Sequence, residues 1–158
     1  ESYHSSIPIM HITTNVERET LHSGRGSIHE PKDQLAMLSS TAGWTAAVVD
    51  GESVPDRLFE AFHYLTTHHP RPAALEIPTD LLGQEIDVEI GAPPDPCRPT
   101  ADQDVVHAAI GKLLKSRRPI IWAGGGAREA DLSTELLELA RSLNAPVITT
   151  PEGNGDHT

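Results

Sequence analysis

Three features that would assign a protein to other classes are scarce or missing in this sequence of 158 residues. No apolar run approaches the roughly 18 residues that a helix needs to cross a bilayer, and the first residues do not show the pattern of a signal peptide. Cysteine occurs once, at Cys97, which rules out an internal disulfide and fits a reducing compartment. We therefore expect a cytoplasmic protein that has no membrane partner.

Positive charge is the third scarce feature. The 12 Lys and Arg residues stand against 23 Asp and Glu residues, which gives a formal net charge of −11. Binding to a phosphate backbone needs clustered basic residues, and the one cluster, Lys115, Arg117 and Arg118, is explained by a solvated helix end. Nucleic acid is therefore not expected as a partner. The hydrophobic content of 37% with 22% charged residues is typical of a soluble globular protein.

The nine histidines do not follow the spacing of a metal site. His68 and His69 are adjacent at a predicted helix end, so the two side chains cannot face one ion in a regular helix. His4 and His11 straddle a strand, and the pair that begins at His29 has no second pair at ligand spacing. No metal site made by this chain alone is expected.

Hydrophobic patterning predicts strands that alternate with helices. Predicted strands occupy residues 7–13, 44–49 and 73–78, and the later stretches "PIIWA" and "PVITT". A first helix is predicted from 33 to about 39, a second begins after a cap at Ser53, and a third begins after a capping pattern of Thr100 and Gln103. A fourth follows the leucines from Leu132 to a left-handed end at Asn144. This alternation predicts the α/β class, with parallel sheets flanked by helices in a three-layer Rossmann-like arrangement.

One stretch interrupts the alternation and predicts a domain boundary. Residues 90–100, "IGAPPDPCRPT", carry four prolines and no hydrophobic period, which is typical of a semi-rigid linker. The stretch separates residues 1–89 from residues 101–158. The first strand has no element ahead of it to pack on, and the chain ends soon after its last strand. We therefore expect two partial domains from a longer protein.

The loop "HSGRGSIHEPKDQ" follows the first predicted strand, at the sheet edge where α/β proteins place ligands. Arg25, between Gly24 and Gly26, could bind a carboxylate or phosphate with two parallel hydrogen bonds. His29 could move a proton near neutral pH, with Glu30 orienting it. The alternative is that Arg25 and Glu30 pair with surface neighbours while His29 packs partly.

A second candidate is the glycine turn of "WAGGGARE". Backbone N–H groups at Gly124, Gly125 and Gly126 could approach a phosphate or ribose next to a helix start. The turn lacks the dinucleotide fingerprint, because the sixth position counted from Gly124 is Glu129 rather than glycine. The alternative is a tight strand-to-helix turn that binds nothing.

Taken in order, these pieces resemble the thiamine diphosphate (ThDP)-dependent 2-oxoacid enzymes of the acetolactate synthase and decarboxylase group. The stretches that carry the resemblance are "SIPIMHITTN", "GRGSIHEPKDQLAML", "HHPRPAALEIPTDLL", "LLKSRRPIIWAGGG" and "ELLELARSLNAPVITTPEGNG". The resemblance implies that residues 1–89 are the C-terminal part of a pyrimidine-binding domain. It implies that residues 101–158 are the N-terminal part of the central, nucleotide-binding-like domain, and that the chain is an internal fragment.

The same resemblance implies cofactors whose main ligands lie outside this chain. Family members carry the glutamate that contacts the aminopyrimidine ring upstream of this start, and the segment that holds Mg²⁺ and the diphosphate far downstream. Glu17 and Glu19 follow the first strand, so neither matches that glutamate. ThDP and Mg²⁺ are therefore expected in the intact enzyme only. FAD or ADP is implied at Gly124–Gly126 in those members that bind one, although "GNG" at 153–155 replaces a common Gly-Lys-Gly.

The implied activity is decarboxylation of a 2-oxo acid, carboligation, or both, by a homodimer or homotetramer or together with the missing segments of the same polypeptide. Acetolactate synthases commonly have Phe-Gln-Glu where this chain has Ile28-His29-Glu30, which argues against acetolactate formation. Through the resemblance, His29 and Arg25 become candidate substrate-facing residues, and the fragment alone is expected to be inactive. The alternative function is a non-catalytic nucleotide- or FAD-binding α/β module, or a degenerate homologue.

Overall fold

The computed structural model describes residues 1–67, 69–92 and 100–154. The chain divides into two units, Glu1–Pro99 and Thr100–Thr158. Most of the proline-rich stretch predicted as a linker, with Cys97 in it, lies outside the described residues, as do His68 and Gly155. No helix in the described ranges is both long enough and apolar enough to cross a membrane.

The first unit contains a three-stranded parallel sheet with the order β1-β3-β2. Its elements are β1 Met10–Asn15, α1 Gln34–Ser39, β2 Trp44–Ala47, α2 Val54–Thr67, β3 Ala73–Pro78 and a 3-10 turn at Thr79–Leu81. Both outer strands start opposite the same residue of β3, since Met10 and Trp44 are each in register with Ala73. The three carboxyl ends therefore lie at one edge of the sheet, and the loop after β1 starts from that edge.

The core of this unit lies on one face of β3. Leu75 is fully buried and packs with Val48 and Leu81, and Trp44 and Leu58 pack against this cluster from β2 and α2. Helix α2 supplies Leu58 because its apolar residues recur at helical spacing. Burial of this face fixes the strands that carry the loops of the candidate site.

Two predicted features of the first unit differ from the structure. The first strand begins at Met10 rather than at residue 7, because the register with β3 starts at Met10, and Ile7 instead donates its N–H to the Ser2 carbonyl in a turn. The cap predicted at Ser53 has the predicted position, since the Ser53 carbonyl accepts the Arg57 N–H at 3.1 Å where α2 begins, but its hydroxyl makes a different contact. The Ser53 hydroxyl donates to the Asp50 carbonyl, at 2.9 Å, so this hydroxyl belongs to the turn before α2.

The second unit contains a two-stranded parallel sheet, β4 paired with β5. Its elements are α3 Gln103–Leu113, β4 Ile121–Ala123, α4 Gly125–Glu129, α5 Ser133–Leu143, β5 Val147–Thr149 and a 3-10 turn at Pro151–Gly153. The predicted left-handed end at Asn144 is confirmed, with φ +49°. The predicted capping pattern at Thr100 is wrong, because Asp102 caps α3 by accepting the N–H groups of Asp104 and Val105.

Much apolar surface of the second unit is exposed. Trp122 of β4 and Ile148 of β5 are register partners on one face of the sheet, and 74% and 52% of their surfaces are exposed. A two-stranded sheet of this size buries too little apolar area to be stable by itself. The α/β class with parallel sheets and flanking helices is nevertheless the predicted one, and it is confirmed in both units.

Candidate active site

A cleft of about 420 Å³ lies where β1 ends, at the carboxyl edge of the first sheet. It is formed by the end of β1, the loop that follows, the start of α1 and the residue after β3. The lining residues are Thr14, Asn15, Val16, Glu17, Thr20, Ser27, Ile28, His29, Gln34 and Thr79. The sequence predicted this edge as the position of the site, and the cleft combines polar groups with small apolar surfaces there.

His29 is brought into the cleft by an unusual backbone conformation. Its φ is +70°, in the left-handed region that non-glycine residues rarely adopt. A turn closed by the hydrogen bond from the Glu30 N–H to the Ser27 carbonyl, at 3.0 Å, surrounds it. The imidazole is exposed to solvent and lines the cleft, so it can meet a bound molecule. Backbone strain of this kind costs about 1–3 kcal/mol and clusters at active sites and ligand-binding positions.

Arg25 and Glu30 are placed differently from His29. Neither is among the described residues that line the cleft. Arg25 is exposed in the turn between Gly24 and Gly26, whose φ angles are +65° and +74°. Within the described ranges Arg25 and Glu30 form no ion pair. The alternative that they pair with surface neighbours therefore finds no support among these residues. The structure therefore separates the two predicted side chains, with His29 in the cleft and Arg25 outside it.

The sequence alone did not single out Arg18, which connects the ends of all three strands of the first sheet. Its side chain Nε donates to Asp80 Oδ2 at 2.7 Å, and its backbone N–H donates to Asp80 Oδ1 at 3.1 Å. Its Nη1 also donates to the Val49 carbonyl at 3.0 Å. The Arg18 hydrogen bonds hold the pKa of the Asp80 carboxyl below its ordinary value of 3.8. Of the two partners, only Asp80 lies in a stretch that carries the family resemblance, "HHPRPAALEIPTDLL", where it follows the Ile-Pro that closes β3.

The opposite wall of the cleft is fixed by the start of α1. Asp33 caps this helix, since its carboxylate accepts the N–H of Ala36 at 2.8 Å. The next residue, Gln34, lines the cleft and donates from its side-chain amide to the Thr14 carbonyl at 2.8 Å. This hydrogen bond joins the first residue of α1 to β1 at Thr14.

The glycine turn of the second unit is packed against its own chain. Gly124 precedes α4, which begins at Gly125. A Cβ at Gly153 would collide with the Ala123 carbonyl oxygen. It would also lie 3.1 Å from the carbonyl carbon of Gly124. A Cβ at Gly125 would lie 3.3 Å from the Glu152 Cβ, whereas Gly126 has nothing within 4 Å. The need for glycine at this turn is therefore explained in part by close packing of the backbone.

The described residues do not fit a complete ThDP and Mg²⁺ site. No group of three or more His, Cys, Asp or Glu side chains in the described ranges could hold a metal ion. Mg²⁺ at a diphosphate is usually held by one or two carboxylates together with phosphate oxygens and water. The cleft beside His29 has one carboxylate in its lining, Glu17, and no Lys or Arg side chain to meet a diphosphate. No chemical step on that cofactor can therefore be derived from this chain alone.

Comparison with known proteins finds a family model for the second part of the chain and relatives along nearly its whole length. Residues 106–156 match the family model described as "Thiamine pyrophosphate enzyme, central domain". A "Probable 2-ketoarginine decarboxylase AruI" of Pseudomonas aeruginosa is 30% identical over 157 residues, which is 98% of this chain and 28% of that protein. A "Glyoxylate carboligase" of Escherichia coli O157:H7 is 31% identical over 152 residues, 95% of this chain and 25% of that protein.

Solved structures show the same fold. A benzoylformate decarboxylase from Polynucleobacter necessarius superposes with a TM-score of 0.75 at 20% identity, over 96% of this chain and 28% of that one. A putative thiamin diphosphate-dependent enzyme from Mycobacterium smegmatis gives a TM-score of 0.74 at 18% identity, over 95% of this chain and 29% of that one. The chain thus spans about a quarter of the length of these four proteins. With nearly its whole length aligned, it belongs to the thiamine diphosphate-dependent enzyme family that includes acetolactate synthases and 2-oxoacid decarboxylases.

Proposed function

We propose that this chain is part of an intact ThDP-dependent enzyme that acts on 2-oxo acids, by decarboxylation, carboligation or both. The observation that carries the proposal is the match to a decarboxylase and a carboligase over 98% and 95% of the chain. When bound, ThDP supplies the carbanion for attack on the 2-oxo group and accepts the electrons left when CO₂ departs. In this proposal, the cleft beside His29 forms part of the active site of the intact enzyme.

The domain assignment belongs to the same proposal. Residues 1–89 form the C-terminal part of a pyrimidine-binding domain, and residues 101–158 form the N-terminal part of the central domain. The match of residues 106–156 to the central-domain model supports the second assignment. The catalytic glutamate and the residues that hold Mg²⁺ and the diphosphate are then supplied by other segments. The chain alone is inactive in this proposal, and the intact enzyme is a cytoplasmic homodimer or homotetramer.

Within this enzyme, His29 is the residue of the chain that faces the substrate. Its imidazole lines the cleft at the strand ends and can donate or accept a proton at a ring nitrogen. The lining hydroxyl and amide groups, such as those of Ser27 and Gln34, can orient a polar substrate. Arg25, the other predicted residue, lies outside the cleft lining. It remains a candidate for binding the substrate carboxylate because its guanidinium has no ion-pair partner within the described ranges.

The test is a screen of 2-oxo acids on the full-length protein with ThDP and Mg²⁺, following CO₂ and carbonyl products. In that protein His29→Asn should lower kcat by about tenfold or more, because a positioned proton-transfer group contributes about that much or more. Asparagine is chosen because it tolerates a positive φ, and His29→Ala serves as a second variant. The affinity for ThDP, followed by quenching of tryptophan fluorescence, should be unchanged.

His22→Asn is the matched control for this experiment. His22 lies in the same loop, is exposed and also has a positive φ, +58°, but it does not line the cleft. Its replacement should leave turnover unchanged. Equal effects of the two substitutions would return His29 to a structural role. Absence of turnover with every 2-oxo acid tested would instead contradict the proposed function and favour a non-catalytic module.

The proposal also includes a nucleotide contact, FAD or ADP, at Gly124, Gly125 and Gly126. Gly126 alone of the three has open space where a Cβ would be, and the adjacent Gly125 packs on Glu152. Titration of the full-length protein with ADP and with FAD distinguishes the two ligands, since only FAD changes visible absorbance. Binding of neither would remove the nucleotide from the proposal.

A further inference from the structure

Arg18 lies between two groups of residues that line the cleft. It follows Val16 and Glu17, which form part of the wall after β1, and it precedes Thr20 in the same wall. Its partner Asp80 follows Thr79, which lines the cleft from the end of β3. The ion pair therefore joins two walls whose residues are far apart in the sequence.

The hydrogen bonds of Arg18 fix both its backbone and its side chain. The Asp80 carboxylate uses one oxygen for the Arg18 N–H, at 3.1 Å, and the other for Nε, at 2.7 Å. The remaining guanidinium contact goes to the Val49 carbonyl, after β2, at 3.0 Å. A single side chain thus spans the ends of β1, β3 and β2, which are neighbours in that order in the sheet.

The segment on the other side of Arg18 has its own restraints. The Glu17 carbonyl accepts the N–H of Thr20 at 2.9 Å and the N–H of Leu21 at 3.0 Å. The Thr20 hydroxyl donates to the same carbonyl at 3.0 Å. Residues 17–21 therefore form a local turn, and its attachment to the rest of the sheet edge depends on Arg18. If the Arg18 side chain is truncated, only its backbone N–H still ties the turn to Asp80, and the turn can shift relative to Thr79 without breaking these local bonds.

We propose that Arg18, held by Asp80 and the Val49 carbonyl, is a positioning residue that sets the separation of the Glu17–Thr20 wall and the Thr79 wall of the cleft. It does not touch the reacting atoms, and it acts on substrate affinity through the residues beside it. This inference rests on the proposed function of the cleft. Weak exposed ion pairs contribute little to stability, so the effect of this pair should be local rather than on the whole fold.

Arginine is required at this position because its guanidinium meets two acceptors that lie in different directions, Asp80 Oδ2 and the Val49 carbonyl. A guanidinium offers several N–H donors in a fixed planar fork, whereas an ammonium group on a flexible stem is a point charge. Lysine could keep the attraction to Asp80. Its single ammonium group could not replace both the hydrogen bond from Nε to Asp80 and the hydrogen bond from Nη1 to the Val49 carbonyl in one geometry. Arg18→Lys thereby distinguishes a positioning role from simple charge pairing.

The experiment measures KM and kcat of the full-length protein with a 2-oxo acid that it accepts. Arg18→Ala should raise KM by about fivefold or more with kcat changed by less than about threefold, because positioning of the wall acts mainly on binding. Arg18→Lys should keep most of that increase in KM. Recovery of the wild-type KM by lysine would overturn the inference in favour of charge alone.

The matched control is Arg57→Ala. Arg57 pairs with Glu60 on α2 at 2.6 Å, and its side chain is as exposed as that of Arg18, 40% against 41%. It does not line the cleft or lie beside a lining residue. Its replacement should leave KM unchanged. An equal change of KM in the two alanine variants, or none in either, would overturn the inference.

Hydrogen–deuterium exchange of the same proteins gives a readout that does not depend on turnover. Amides of residues 16–21 and 79–82 should exchange faster in Arg18→Ala than in the wild type, and they should be unchanged in Arg57→Ala. If the exchange changes as expected but the wild type accepts no 2-oxo acid, the proposed function fails and the positioning of the two walls stands. If the wild type is active and exchange in these segments is unaffected by Arg18→Ala, the inference alone fails.

Discussion

Leu75→Ala tests whether the fold that carries the cleft depends on the buried face of β3. Leu75 is 0% exposed and packs with Val48 and Leu81. Replacement by alanine removes about three carbons, and each buried CH₂ contributes about 0.8 kcal/mol, so the transfer contribution is about 2–3 kcal/mol. The cavity that remains adds to this, and measured losses for such substitutions are about 2–5 kcal/mol. We expect a loss of unfolding free energy in the upper part of this range, since backbone on both sides of a central strand resists collapse.

The assay is urea denaturation of the chain, followed by the fluorescence of Trp44. The sequence has two tryptophans, and Trp44 packs against the Leu75 cluster whereas Trp122 lies in the second unit. All variants are therefore made in a Trp122→Phe background, so that the signal comes from the first unit alone. Unfolding free energies are compared at equal slopes in urea, which excludes a change of the unfolded state.

Leu82→Ala is the control for this prediction. Leu82 follows the 3-10 turn after β3 and is 60% exposed, so its truncation removes little buried surface. We expect its effect to stay below about 1 kcal/mol, as for most exposed positions. A loss below about 1 kcal/mol for Leu75→Ala, or similar losses for the two variants, would refute the reasoning that this buried face holds the sheet together.

Two further predictions concern the glycine turn and the ion pair. Gly153→Ala should destabilise the second unit by about 1–3 kcal/mol, because its Cβ would collide with the Ala123 backbone, whereas Gly111→Ala in α3 has nothing within 4 Å and should be neutral or stabilising in thermal unfolding. For the ion pair, Arg18 lowers the pKa of Asp80 below 3.8 in the folded state, so its stabilisation is complete above the unfolded pKa and is lost as the pH falls through the folded pKa. The difference in unfolding free energy between wild type and Asp80→Asn should therefore be constant from about pH 7 to about pH 5 and shrink below about pH 4, and a constant difference down to about pH 2 would contradict this sign.

Local signals predicted most of the secondary structure. The bounds of β3, 73–78, agree with the structure because an apolar run of six residues is closed by Pro78 and lies in the centre of the sheet. The end of α5 at Asn144 also follows from one residue, since asparagine tolerates the left-handed conformation and Pro146 bars continuation. The start of β1 did not follow in this way, because residues 7 to 9 are as apolar as those in the strand, yet their one recorded backbone bond to β3 is that of the Ile9 carbonyl, which accepts the Ala73 N–H at 2.8 Å.

The sequence also predicted the family, but it did not establish which residues face a substrate. The order of short stretches along the sequence was enough to identify the family, and the comparisons confirm it. The placement of His29 beside a strand end followed from the loop that carries it, but whether it faces a substrate stays a prediction. Arg25 lies in the same loop and carries a charged guanidinium that could bind a carboxylate. The turn between Gly24 and Gly26, both with positive φ, nevertheless leaves Arg25 outside the cleft.

The sequence by itself determined the class of fold, the parallel strands and the edge at which the cleft lies, because hydrophobic period and turn residues act over a few neighbours. Only the tertiary structure decided which side chains share that edge. Arg18 meets Asp80 across 62 residues of sequence and Val49 across 31, and no local pattern specifies either contact. The parallel register of β1, β3 and β2 places the three strand ends side by side, and that spatial proximity creates the ion pair and the cleft.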